Sequence, residues 1–168
     1  KAFHQLSHYP VGLITTALGG SPISRWDKAQ NGDLYRNMIG KVKECGNKAA
    51  GILWYQGCSD TTPSQAAIYY ESFQHLVADT RAELGYQIPL FTFQLNRPTI
   101  NCPLSDGIHN NAHSNMMLGE KMAKLCGNVL YGTPEYSSPD IAEAVLTEKV
   151  LKVTFRNMKR GFIIISGL

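Results

Sequence analysis

Asp106 and His109 stand three residues apart in Leu104-Ser-Asp-Gly-Ile-His109, just ahead of a helical stretch. One tight turn can lay that carboxylate on its own imidazole. A carboxylate accepting from Nδ1–H fixes the tautomer and leaves Nε2 as a base. A helix N-cap aspartate beside a surface histidine has the same spacing, so the pair alone does not decide. The second block is Trp54-Tyr-Gln-Gly-Cys-Ser-Asp60. An apolar strand that runs out into Gln56-Gly57 sets an amide donor and a small residue at a sheet's carboxyl edge, where N–H groups can stabilise an oxyanion. The third is Gly19-Gly20, whose backbone N–H groups can approach a ligand closely. Taken singly, the second block is also a strand end with a Ser/Asp helix cap, and the third is a turn.

The remaining histidines, His4, His8, His75 and His113, read as structural or exposed, and none pairs with Asp or Cys at metal-ligand spacing. No metal and no cofactor is expected. The four cysteines, Cys45, Cys58, Cys102 and Cys126, contain no C-x-x-C pair, which argues against a zinc site or a thioredoxin-like motif. Their density is not that of a disulfide scaffold, and it leaves the redox compartment open.

The elements that must position these blocks follow from the pattern. Val11 to Thr15 reads as a short buried strand running toward the Gly-rich turn at Gly19 to Ile23. Asp33 to Glu44 reads as a helix with Leu34, Met38, Ile39 and Val42 on one side. Ala50 to Tyr55 is a second strand, Pro63 and Ser64 open a long helix closed by Gly85, and Pro89 to Leu95 is a third strand. A helix from about Asn111 to Leu125 ends at Gly127, and Val129 to Tyr131 forms a fourth strand. Alternating strands and helices predict a parallel sheet covered on both faces, with ligands outside the carboxyl ends of its strands. Beyond Tyr136, Val150 to Phe155 and Phe162 to Ile165 read as a hairpin joined by Asn157 to Gly161. Two units result, residues 1–135 and residues 136–168, the second being the start of a β-rich segment.

Composition narrows the function classes. The 168 residues are 43% hydrophobic and 17% charged, enough to bury a core. A net charge of +3 is too weak and scattered to imply nucleic acid. The longest apolar run, around Phe162 to Ile165, is far short of the ~20 residues of a membrane span, so no membrane partner is expected.

The order of the blocks is more specific than any one of them. Gly19-Gly-Ser-Pro-Ile-Ser-Arg-Trp26, Gly51-Ile-Leu-Trp-Tyr-Gln-Gly-Cys-Ser-Asp60, Phe93-Gln-Leu95 and Asp106-Gly-Ile-His109 together resemble the sialate O-acetylesterase-like branch of the SGNH hydrolases. The resemblance runs from about Pro10 to Lys124. It implies an α/β fold, a flavodoxin-like α/β/α sandwich with a parallel sheet, here incomplete at the N-terminus. It implies a hydrolase removing O-acetyl groups from sialic acid or another acetylated carbohydrate. Carried over, His109 is the general base and Asp106 its orienting partner. Gly20 and Gln56 contribute the oxyanion hole, and Gly19, Trp54, Gly57, Cys58 and Ser59 line the site. A secreted, periplasmic or lysosomal location is what such a family implies.

Three departures accompany that resemblance. The family's nucleophile is a serine in a Gly-x-Ser motif upstream of the Val11 strand, so it is expected on a segment preceding this chain, which then becomes a partner. Ser21 is not a substitute for it. Cys58 stands where the family has a glutamate, and the link from Leu95 to Asp106 is shorter than the family's. These departures also fit a different class, a carbohydrate-binding or interaction module that keeps the fold without turnover. An upstream Gly-x-Ser-Asn segment in the gene discriminates the two.

Overall fold

A computed structural model describes residues 1–93, 95, 104–105, 109–133, 140–147 and 150–156. Its elements are α1 (Ala2–Ser7), α2 (Asp33–Glu44), β1 (Ile52–Trp54), α3 (Pro63–Leu84), β2 (Leu90–Thr92), α4 (Ala112–Tyr131), β3 (Asp140–Thr147) and β4 (Val150–Arg156). Local chemistry sets most of the boundaries. The Thr62 side chain accepts from the Gln65 N–H, Gln65 answers the Thr62 N–H, and Pro63 occupies the first turn, so α3 starts there. Gly85, at φ +83°, ends it. Asn111 caps α4 by accepting from the Ser114 N–H at 2.9 Å.

β1 and β2 pair in parallel, with Ile52 opposite Leu90, Leu53 opposite Phe91 and Trp54 opposite Thr92, and α3 makes the crossover. Alternate residues then enter different cores. Ile52, Trp54 and Leu90 join Ile23, Trp26, Tyr35, Met38, Ile39 and Leu76 on the α2–α3 side. Phe91 joins Met122 and Cys126 of α4, with Phe3 of α1 against them, on the other side. Helices thus cover both faces of a parallel sheet, and the fold is α/β.

Four expectations change. Val11–Thr15 is no strand: it is exposed, Leu13 at 75%, and no described strand pairs with it. Apolar β-formers make a strand only where a ladder partner satisfies their backbone. Val129 to Tyr131 continue α4 through to a cap at Gly132. Gly127 lies inside that helix and does not end it; a Cβ there would stand 3.0 Å from Thr133 Oγ1. Val150 to Phe155 do form a strand, β4, but its antiparallel partner is the unanticipated β3 upstream. Asn157 to Gly161 and Phe162 to Ile165 lie outside the described residues. Helix α1 was also unanticipated, six residues being too few to show a period.

One buried carboxylate ties the loop after the Ile23–Arg25 turn to α3. Asp27, 2% exposed, accepts from the Ala29 N–H at 2.9 Å and from Gln30 Nε2 at 3.1 Å, with His75 Nδ1 at 3.4 Å. Burial alone would raise its pKa, but the hydrogen bonds from Ser72, Gln30, Ala29 and His75 outweigh it and hold the carboxyl below the usual carboxylate range. The folded carboxyl therefore loses its proton more readily than the unfolded one. Its contribution is complete above the unfolded carboxylate's range and is lost as pH falls through the folded value. Acid unfolding of Asp27→Asn, followed by circular dichroism, is expected to lack this share of the acid limb. An unchanged acid limb would show that Asp27 is not linked to folding.

Candidate active site

The carboxyl end of β1 is where the blocks meet. Trp54, 5% exposed, stands edge-on to Trp26 with ring centroids 5.2 Å apart and tilts against Phe73. It is wall, packed between the loop after Gly20 and α3. Two residues on, Gln56 is bonded through every polar atom of its side chain. Its Nε2 donates to the Ser21 carbonyl at 2.8 Å and to Asp60 Oδ2 at 2.7 Å, while its Oε1 accepts from the Tyr69 hydroxyl at 2.8 Å. The same hydroxyl lies 3.0 Å from the Gln56 carbonyl. Burial, with the Asp60 carboxylate nearby, raises the Tyr69 pKa, so the phenol stays a proton donor.

Asp60, 6% exposed, completes the arrangement. Its two oxygens accept from the Ile23 N–H at 3.0 and 3.1 Å. Gly19 and Gly20 are exposed on the loop this carboxylate and Gln56 hold in place, and Gly20 sits at φ +69°, where a side chain would be strained. Ser21 is buried, donating to the Leu18 carbonyl at 2.8 Å and accepting from Trp26 Nε1 at 3.0 Å. A hydroxyl so placed is a brace, not a nucleophile. Gly57 has φ +131°, and a Cβ on it would come within 2.7 Å of Leu95 Cδ1, so the chain after β2 can approach only a glycine. Cys58 is exposed and Ser59 half-buried. An apolar cleft of about 410 Å³ opens here, lined by Trp54, Gln56, Asp60, Tyr69, Phe73 and Phe93 among others.

His109 is exposed at the end of a short loop. Its carbonyl accepts from the Ser105 N–H at 2.7 Å and Ser105 Oγ at 3.1 Å, and Leu104 and Asn110 form an antiparallel bridge. Asn110 Nδ2 donates to the Tyr55 hydroxyl at 2.9 Å, which carries this loop to the same strand end. Asp106, its expected partner, lies outside the described residues. The structure thus joins the Gly20 loop to Gln56, and the His109 loop to Tyr55. Sequence reasoning did not single out Tyr69; a tyrosine on a helix face turned toward a strand end was the available signal. Among the described residues no three His, Cys, Asp or Glu side chains gather as a metal site, and no helix is long and apolar enough to cross a membrane.

The carboxyl end of a parallel strand, here gathering a glycine turn, a fixed amide and a histidine loop, is where an α/β sheet places a ligand site. Comparison with known proteins makes the assignment specific. Residues 1–104 match the model of the family described as carbohydrate esterase, sialic acid-specific acetylesterase, and the chain belongs to that family. It is 32% identical over 79 residues to a probable carbohydrate esterase of Arabidopsis thaliana, an overlap of 45% of this chain and 30% of the relative. The X-ray structure of that Arabidopsis protein aligns with a TM-score of 0.67 at 23% identity, covering 77% of this chain and 66% of the other. A carbohydrate acetylesterase from Xanthomonas citri aligns with a TM-score of 0.75, also at 23% identity, covering 92% and 45%. These structural likenesses speak for the fold. The chain spans 30% of the curated relative's length.

Proposed function

We propose that the protein to which these residues belong hydrolyses O-acetyl esters of sialic acid or another acetylated carbohydrate, by acyl transfer to a serine. The serine Oγ attacks the acetyl carbonyl while His109 takes its proton, with Asp106 holding the ring. The sugar alcohol leaves with that proton, and water then cleaves the acyl-enzyme. The Gly20 N–H and the Gln56 amide border the oxyanion. Both amide hydrogens of Gln56 are already donated, so this residue acts chiefly by fixing where the Gly19–Ser21 loop stands. Gly19, Trp54, Gly57, Cys58 and Ser59 are the surroundings in which the sugar is received. In this reading the nucleophile is a serine on a segment upstream of these residues, and Ser21, buried and doubly bonded, does not take its place. The catalytic unit is residues 1–135, and residues 136–168 open a β-rich segment.

The observation that carries this reading is convergence at one strand end. Residues 35 positions apart meet in the Gln56–Ser21 bond, and residues 55 positions apart meet in the Asn110–Tyr55 bond. The full engagement of Gln56, with Cys58 in the same block, favours a second reading, a module that binds acetylated carbohydrate without turnover.

An aryl acetate and an O-acetylated sialic acid, offered to the full-length gene product and to residues 1–168 alone, test both. The full-length protein is expected to hydrolyse acetyl esters, and the 168 residues to leave them at the buffer rate. A serine-directed phosphonate should label the former at a serine other than Ser21. Turnover by the 168 residues with Ser21 labelled would overturn the assignment of the nucleophile. Saturable binding of acetylated sugar by the full-length protein, without hydrolysis, would establish the second reading.

A further inference from the structure

We infer that Tyr55 and Asn110 are positioning residues whose side-chain hydrogen bond sets where His109 stands relative to the Gln56 end of β1. The inference rests on His109 being the base of the proposed reaction. The bonds inside the histidine loop, the Leu104–Asn110 bridge and the two from Ser105 to the His109 carbonyl, are local. They define the loop's shape. Helix α4, which follows, is seated by Ser114, fully buried in its first turn, and by Met122 and Cys126 against Phe91. The donation from Asn110 Nδ2 to the Tyr55 hydroxyl, 2.9 Å, reaches across to the residue directly before Gln56.

Tyr55 is suited to be the fixed end. It follows a paired strand residue, and its ring lies edge-on to Phe93 with centroids 6.0 Å apart, which restricts where the phenol can point. Tyr55 is 52% exposed, so burial is not what demands a hydroxyl there. Asn110 is the immediate neighbour of His109, so a shift of its side chain moves the imidazole with it. Misplacing a catalytic group by about 1 Å can cost on the order of 10²-fold in rate, and loss of one tether should cost less. A bond between two partly exposed neutral groups adds little to global stability, so the effect should fall on rate and not on folding.

The test uses Tyr55→Phe, which keeps the ring, Asn110→Ala, and the double variant in the full-length protein. Each single change is expected to lower kcat about tenfold with KM within about twofold and the melting temperature unchanged. The double variant should be no slower than the slower single one, because both remove the same bond. Hydrogen exchange of the Ser105 amide, bonded to the His109 carbonyl, should accelerate in all three, and this is read without any turnover. Accelerated exchange where His109→Ala leaves hydrolysis intact would uphold the tether and fail the base assignment. An inactive His109→Ala, with Tyr55→Phe and Asn110→Ala at wild-type kcat and exchange, would overturn the tether alone. Losses that multiply to about a hundredfold in the double variant would also overturn it.

Discussion

Replacing His109 by alanine in the full-length protein is expected to lower kcat for acetyl-ester hydrolysis by about 10²–10⁴, the usual contribution of a general base. In the proposed reaction the imidazole has two tasks, taking the serine's proton and returning it to the departing sugar oxygen. Asp106→Asn should also be severe, on the order of 10⁴ by analogy with the serine-protease triad, because an amide favours the wrong tautomer. Both losses should fall on kcat more than KM, since neither side chain is assigned to grip the sugar. Circular dichroism must accompany the kinetics. A folded His109→Ala protein that retains more than about a tenth of wild-type kcat would end the assignment, for an exposed histidine beside a helix cap tolerates alanine.

The second large effect is expected at Asp60, in stability. Its buried carboxylate accepts from the Ile23 N–H through both oxygens and from Gln56 Nε2. Asp60→Ala deletes hydrogen bonds to a charged group, each contributing about 1.5–3 kcal/mol, and strands two donors. A loss of about 3 kcal/mol is expected, equivalent to about 6–12 °C in melting temperature for a chain of this size. Asp60→Asn keeps one carbonyl acceptor and should lose less. Because the same carboxylate anchors the loop bearing Gly20, Asp60→Ala should also weaken hydrolysis in whatever fraction stays folded. A melting temperature within about 2 °C of wild type would show that the Ile23 N–H finds another acceptor and that the loop does not depend on Asp60.

Much of the framework was legible in the chain because its signals are local. Gly85 and Pro63 bracket α3, the apolar positions of α2 recur on one face, and the runs around Trp54 and Phe91 are strands by composition. Such signals act within a few residues, and no distant contact has to be known to read them. The failures were of another kind. Val11 to Thr15 has the composition of a strand, but a strand exists only with a partner, and which edges are free is a property of the assembled sheet. Val129 to Tyr131 was drawn into α4 because adding one more helical hydrogen bond is cheaper than starting a ladder elsewhere.

At the site, residue types alone named Gly20, Gln56 and His109 as candidates. Tertiary structure decided what each is bonded to. It spent both amide hydrogens of Gln56 on Ser21 and Asp60, and turned Ser21 inward as a brace. It also recruited Tyr69 and Tyr55, neither of which the sequence singled out for the site. The physical reason is range. Propensity and capping are settled by neighbours in sequence, whereas a hydrogen bond across 35 or 55 residues is settled by which faces the core has already buried.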